Sequence, residues 1–149
     1  MPFISVTRLR IRKWWFLPHF ALMALKSQRQ AEVSSGFRGG MLLPDRRWTF
    51  WTLTAWDSEA DMRSYMTAGD HRRAMPRLVD WCDEASVVHW SQTDEPLPTW
   101  AEADARMRLE GRPSKVRFPS DAHAAMAFAT PRTTTSTPIS VRRLKSGIR

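Results

Sequence analysis

The stretch WTFWTLTAW, Trp48 to Trp56, constrains this chain more than any other. Its tryptophans, phenylalanine and threonines suit a strand, and it holds no glycine or proline to interrupt one. A strand with one wet face alternates apolar and polar residues. Here Trp48, Phe50 and Trp56 share one face with Thr52 and Thr54, while Trp51, Leu53 and Ala55 share the other with Thr49. Both faces are apolar, so each needs a cover.

The flanking sequence supplies one. FISVTRLRIR, residues 3–12, alternates as a first strand, with Phe3, Ser5, Thr7, Leu9 and Ile11 on one face and Ile4, Val6, Arg8, Arg10 and Arg12 on the other. A helix follows over 15–34. Pro18 fits its first turn, and Phe20, Met23, Ala24, Ser27 and Ala31 make one apolar-side stripe. Glycines in SSGFRGG end it, and 37–43 reads as strand two, joined to the tryptophan strand through the turn PDRR. Ser58 and Asp61 have capping-box spacing at the head of a second helix. Gly69 stops that helix, Asp70 caps a continuation, and Pro76 starts or kinks it. Cys82 falls in the helix-like run LVDWCDEA, and 85–91 is strand four.

The order β-α-β-β-α-β is the ferredoxin-like α+β unit, a four-stranded antiparallel sheet with both helices on one face. Its other face then lies open, and a tryptophan patch in water is an association site. The simplest cover is the sheet of a second copy, giving a two-fold homodimer with facing sheets. The core spans 1–95. A C-terminal helix and arm span 96–128, with a Thr99–Glu102 capping box and Gly111 as terminator. Residues 129–149, rich in Thr, Ser and Pro and basic, predict a disordered tail.

The net charge of +8 invites a nucleic-acid or acidic-membrane reading, but its distribution weakens both. Residues 1–98 carry thirteen Lys/Arg against eleven Asp/Glu, whereas 131–149 carry five Lys/Arg and no acid. A single cysteine excludes an internal disulfide. The apolar run at 14–25 is too short to span a bilayer, and no small-x-small cleavage site follows it. The expectation is a cytoplasmic protein without a membrane partner. Zinc-type Cys/His spacing, a P-loop and GxGxxG are absent, so no metal site is expected.

With TLTAW followed by SEADMRSYMTAGDH in this order of elements, the chain resembles the dimeric α/β-barrel superfamily, which includes antibiotic-biosynthesis, haem-degrading and chlorite-dismuting members. YMTAGDHRRAMPRLVDW, VVHW and LPTWAEADARMRLEGRPSKVRFP resemble an uncharacterised bacterial domain family in that superfamily, over about 1–119. VTRLRIRKWWFLPHFALMAL with TLTAW is loosely similar to the haem-associated spheroidene monooxygenase family. The positions that carry out chemistry in the haem-degrading members fall at Thr7, Tyr65 and Met75, and none keeps the family residue.

The resemblance implies a cavity between sheet and helices, with Thr7, Leu9, Phe20, Met23, Tyr65 and Met75 as candidate lining and Trp51 as the strand-three tryptophan. His71, beside Arg72 and Arg73 near a helix start, is the candidate acid/base or haem ligand, since cationic neighbours favour its neutral form. His89, His19 and His123 rank behind it. The Arg8, Arg10, Arg12 row reads as a solvated face or an acidic-ligand site. The resemblance implies a monooxygenase-like enzyme for a hydrophobic or aromatic small molecule. The alternatives are a haem protein using His71, or a non-catalytic binder of an apolar ligand. The cofactor is accordingly none or haem.

Overall fold

A computed structural model describes residues 1–93 and 96–142. Strand β1 (Phe3–Ile11) leads through a 3-10 turn at Trp14–Phe16 into helix α1 (Leu17–Glu32). Strands β2 (Phe37–Asp45) and β3 (Thr49–Trp56) form a hairpin. Helices α2 (Glu59–Met66) and α3 (Gly69–Trp81) precede β4 (Cys82–Ser91). Helix α4 (Trp100–Glu110) and the short strands β5 (Arg112–Pro113) and β6 (Thr137–Ile139) complete the chain.

The sheet has six strands, not four, in the order β5-β4-β1-β3-β2-β6. The four expected strands form its centre and are antiparallel. The two additions, one from the arm and one from the tail, pair with the outer edges, where unpaired N–H and C=O groups would otherwise await another chain. Part of the expected disordered tail is therefore placed: Gly40, Met41 and Leu42 pair with Ile139, Pro138 and Thr137, and Ile139 is buried. Residues 143–149 of that tail lie outside the described residues.

Local chemistry explains most boundaries. Ser58 Oγ accepts from the Asp61 N–H at 3.2 Å, and Thr99 Oγ1 from the Glu102 N–H at 3.2 Å, so both capping boxes start helices. Gly69, at φ 55°, opens α3 and breaks the second helix there. Two expected placements differ. Trp48 is not in the strand but in the preceding turn, at φ 57° and 43% exposed. Cys82 begins β4 rather than ending a helix, and burial with Asp83 nearby pushes its thiol up to about 12.

Register divides the strand-three residues cleanly. Ala55, Leu53 and Trp51 stand opposite Ile4, Val6 and Arg8, on the face away from α1–α3. Trp56, Thr54 and Thr52 stand opposite Phe3, Ser5 and Thr7, on the face beneath those helices. The first of these faces is the one expected to await a partner sheet. The chain covers it itself: Trp100, Ala103 and Met107 of α4 and Phe128 of the arm pack on Ile4, Val6, Trp51, Leu53 and Trp90. Trp51 is fully buried there, edge-on to Trp100 and Phe128.

The arginine row is also consumed from within. Arg8 is buried against Glu84 at 3.3 Å with its guanidinium 4.5 Å from the Phe128 ring centre. Arg10 makes a two-pronged pair with Asp83 at 2.9 Å, and Arg12 donates to the Asp80 carbonyl at 2.6 Å. Neither a solvated face nor an open acidic-ligand site describes Arg8 and Arg10.

Candidate active site

The helix-side face of the sheet is split. One apolar cluster, around Phe3, Phe37, Trp56 and Met62, is joined by Tyr65 and Leu42. A second, around Ile11, Phe20, Trp81 and Cys82, is joined by Leu9, Met23 and Phe50. Register places a polar band between them: His89, Ser5 and Thr54 in one row across β4, β1 and β3, with Val87, Thr7 and Thr52 in the next. A sheet face under three helices should be apolar throughout, so a polar row at its middle marks a place where polar groups are wanted.

The predicted site residues separate on these observations. Thr7 lies in the polar band. Leu9, Phe20 and Met23 line one flank of it, with Phe20 4.7 Å from Phe50. Tyr65 lies on the other flank. Trp51 does not belong: it sits on the opposite face, and Trp56 is the strand-three tryptophan on this side. Met75 is 42% exposed on α3 and lines nothing here. The expectation placed Met75 on one helix with Tyr65, whereas Gly69 separates α2 from α3 and it is Ala74 and Trp81 that α3 buries.

His71 is half-buried in the first turn of α3. Its Nδ1 lies 3.2 Å from the Met66 carbonyl, which selects the Nδ1–H tautomer and leaves Nε2 with the lone pair. Its ring packs 4.7 Å from Tyr65, and Tyr65 stacks on Trp56 at 5.0 Å and 29°. The Tyr65 hydroxyl donates to the Ser27 carbonyl at 3.0 Å, and burial raises its pKa so that it stays a neutral phenol. His71 thus stands one layer out from the sheet, behind Tyr65. Burial lowers its pKa, opposed by the bond to Met66.

His89 is on the sheet itself. Its ring is 5.6 Å from Phe3, and its buried Nε2 has no hydrogen-bond partner. A buried polar atom that nothing meets costs about 1–3 kcal/mol; Trp51 Nε1 and Ser86 Oγ on the opposite face share this state, and His89 Nε2 is the one in the polar band. Burial chiefly lowers its pKa, with Arg112 and Arg63 lowering it further and Glu59 opposing. Sequence ranked it behind His71 because nothing local marks it. The signal was its alternation on strand four, which puts it level with Ser5.

Gln30 also escaped the sequence. From α1 its amide nitrogen donates to the carbonyls of Tyr65 (3.1 Å) and Ala68 (2.8 Å), and its oxygen accepts from the His71 N–H at 2.9 Å. It does the capping expected of Asp70. The remaining histidines lie away from this band. His123 accepts from the Ala85 N–H at Nδ1 and donates from Nε2 to the Ser114 carbonyl at 2.9 Å, which clips the arm to β4. His19 is exposed at the edge of Trp81.

The Tyr65 side of His71 has no open room for a haem. The ring's neighbour is Tyr65, itself stacked on Trp56, so a porphyrin would have to displace a stacked, hydrogen-bonded aromatic pair. Among the described residues no group of three His, Cys, Asp or Glu is placed to hold a metal ion. On the opposite face, a cavity of about 10 Å³ beside Arg8, Ser86, His123 and Phe128 has room for about one water and no more.

Residues 18–119 match the family model described as Domain of unknown function (DUF3291). The chain belongs to the DUF3291 family. No curated protein matches it. Solved structures of the same fold include a Nitrosomonas europaea protein provisionally named an antibiotic biosynthesis monooxygenase. It is 13% identical at TM-score 0.57, with 65% of this chain and 94% of that chain covered. They also include a variant of SnoaB, a cofactor-independent oxygenase from Streptomyces nogalater, 12% identical at TM-score 0.52 with 66% and 98% covered. A conserved protein from Methanosarcina mazei Go1 aligns at 11% identity and TM-score 0.56, with 62% and 94% covered. At these identities the likeness is one of fold: an α+β, ferredoxin-like core with an antiparallel sheet. The share of this chain left over, about a third, is in keeping with the extra α4, arm and β6. This DUF3291 protein has no described helix long and apolar enough to cross a membrane.

Proposed function

We propose that this protein is a cofactor-independent, monooxygenase-like enzyme whose substrate is a hydrophobic, electron-rich aromatic small molecule bound in the polar band between sheet and helices. The observation that carries this reading is the buried, unpartnered Nε2 of His89 in a row with Ser5 and Thr54, between two aromatic-rich flanks. A flat apolar ligand suits such flanks, and a few convergent polar groups would orient it. The fold shared with SnoaB, a cofactor-independent oxygenase, supports the reaction class.

The chemistry such a site can supply is proton removal. His89, kept neutral by burial, takes a proton from an activated CH2 of the substrate, such as one conjugated with a phenol. The resulting carbanion reduces O2 and forms a C–O bond. Loss of water then leaves a carbonyl, so CH2 and O2 become C=O and H2O. His71 is a positioning residue on this reading, holding Tyr65 against Trp56 through ring contact.

Oxygen uptake with a panel of anthrones and other phenols that carry an activated CH2 tests the proposal. The expected result is turnover with at least one of them, reduced about 10²–10⁴-fold in His89→Ala. Binding that quenches tryptophan fluorescence with no oxygen uptake across the panel would instead assign a non-catalytic carrier. A Soret band on titration with hemin, lost in His71→Ala, would return the haem reading.

A further inference from the structure

Helix α1 presents the wrong residues to water. Its inner side carries Phe20, Met23, Ala24 and Ala31, as a helix packed on a sheet should. Its outer stripe, at the spacing 18, 22, 25, 29, ought then to be polar. It contains Leu22 and Leu25, 52% and 43% exposed, and the turn before it adds Trp14 and Trp15, 64% and 52% exposed. Trp14 and Trp15 pack edge-to-face at 5.9 Å, so they form one protruding aromatic unit. Four large apolar side chains on one helix and its leading turn are not the scattered exposure that a soluble surface tolerates.

Charge says what covers them. Residues 1–31 contain six Lys/Arg and no Asp or Glu, and with Arg8 and Arg10 spent on Glu84 and Asp83 they leave Arg12, Lys13, Lys26 and Arg29. Lys13, Lys26 and Arg29 are exposed beside the apolar stripe, and the Lys13 ammonium lies 5.8 Å from the Trp15 ring centre. The acids that reach this end of the molecule are already paired, Asp80 with Arg117 at 2.7 Å and Asp83 with Arg10 at 2.9 Å. A concavity of about 350 Å³ alongside is lined by Arg12, Arg47 and the exposed Trp48, with Arg10, Ile11 and Asp83. Arg12 joins it to the aromatic unit by stacking on Phe16, 5.0 Å from the ring centre.

We infer that the Trp14–Trp15 turn and the outer face of α1 dock the protein on an anionic phospholipid surface. Tryptophan settles at the depth of lipid headgroups, leucine reaches the acyl boundary, and long basic side chains lay their stems on apolar surface with the charge outward. This is binding parallel to a bilayer and makes no demand for a spanning segment. It departs from the expectation of no membrane partner, which rested on the shortness of the 14–25 apolar run and on the excess charge lying in residues 131–149. A second copy covering the same patch would bring the exposed Lys13, Lys26 and Arg29 of the two chains together.

The test is co-sedimentation of the full chain with vesicles of phosphatidylglycerol and phosphatidylcholine in equal parts, against phosphatidylcholine alone. Binding is expected to the anionic vesicles only, with a blue shift of tryptophan emission. It should weaken about fivefold for each of Lys13, Lys26 and Arg29 changed to Gln, and be lost in Trp14→Ala/Trp15→Ala with unchanged circular dichroism. Absence of binding, or equal binding to neutral vesicles, overturns the inference. So does binding that survives Trp14→Ala/Trp15→Ala but disappears on deleting the basic residues 143–149. A dimer in solution that Trp14→Ala/Trp15→Ala dissociates would give the patch to a second copy instead.

Discussion

His71 and His89 are both held below the ordinary histidine range, in each case mainly by burial. Protonating them therefore costs more in the folded chain than in the unfolded one. Above about pH 6.5 both states hold them neutral and no penalty applies. As pH falls through 6.5 toward the folded values, the unfolded chain takes up protons first and stability declines. A melting temperature followed from pH 7.5 to 5 should fall, and His71→Gln/His89→Gln should flatten that slope. If oxygen uptake is found, it should rise with pH across the same window, because the base must be neutral. Arg8 and Glu84 are a different residue-scale case. Their pair is buried beneath Phe128, so Glu84→Ala strands a buried guanidinium and should cost about 3–5 kcal/mol in chemical denaturation. Arg8→Met/Glu84→Leu removes both charges and should recover most of that loss. A double variant as unstable as Glu84→Ala would mean that packing, not the stranded charge, sets the cost.

At the scale of elements, three helices meet on one glutamine. Gln30 on α1 satisfies two carbonyls at the end of α2 and one N–H at the start of α3, which no other side chain caps. Gln30→Ala should cost about 1–3 kcal/mol and speed hydrogen exchange at the His71 amide, the proton that loses its acceptor. The break itself was legible, because Gly69 supplies the positive φ that a helix end requires. The clasp was not, because residues 30 and 71 lie forty-one apart and only packing brings them together. The same limit explains the misplaced tryptophan. Alternation sorted Trp51 and Trp56 onto opposite faces of strand three correctly, but nothing in the strand said which face the helices cover. The register of β1 against β3 and β4 decides that, and it also lifts His89 into the candidate site. Capping boxes at Ser58 and Thr99 were readable because both partners lie within one turn.

For the molecule as a whole, the open question was what keeps the Trp51 face dry. The order of the six core elements was enough to show that one face of the sheet needed a cover from outside that unit. It was not enough to show that the cover was in the same chain, since α4 has a weakly patterned sequence and the arm has no repeat to betray a docked path. In the structure Phe128 supplies the decisive contact. Two guanidiniums stack on its ring, Arg8 at 4.5 Å and Arg108 at 4.4 Å from the centre, and Arg108 also donates to the Phe128 carbonyl at 2.9 Å. Trp100 is fixed in turn by donating to Ser136 at 2.8 Å, which ties α4 to the strand that caps β2. A chain ending at Pro98 loses all of this at once and bares Trp51, Leu53, Val6 and Trp90 together. Such a face is self-complementary across a two-fold axis and should drive association. Light scattering on the 1–98 chain should therefore give a dimer or larger species, whereas Phe128→Ala in the full chain should lose about 3–5 kcal/mol of stability without a change in mass. A 1–98 chain that stays monomeric and folded would show that α4 and the arm are not what the sheet face requires. The cover built from the chain's own C-terminal third would then have to be explained by the arginine–phenylalanine stack rather than by the tryptophans beneath it.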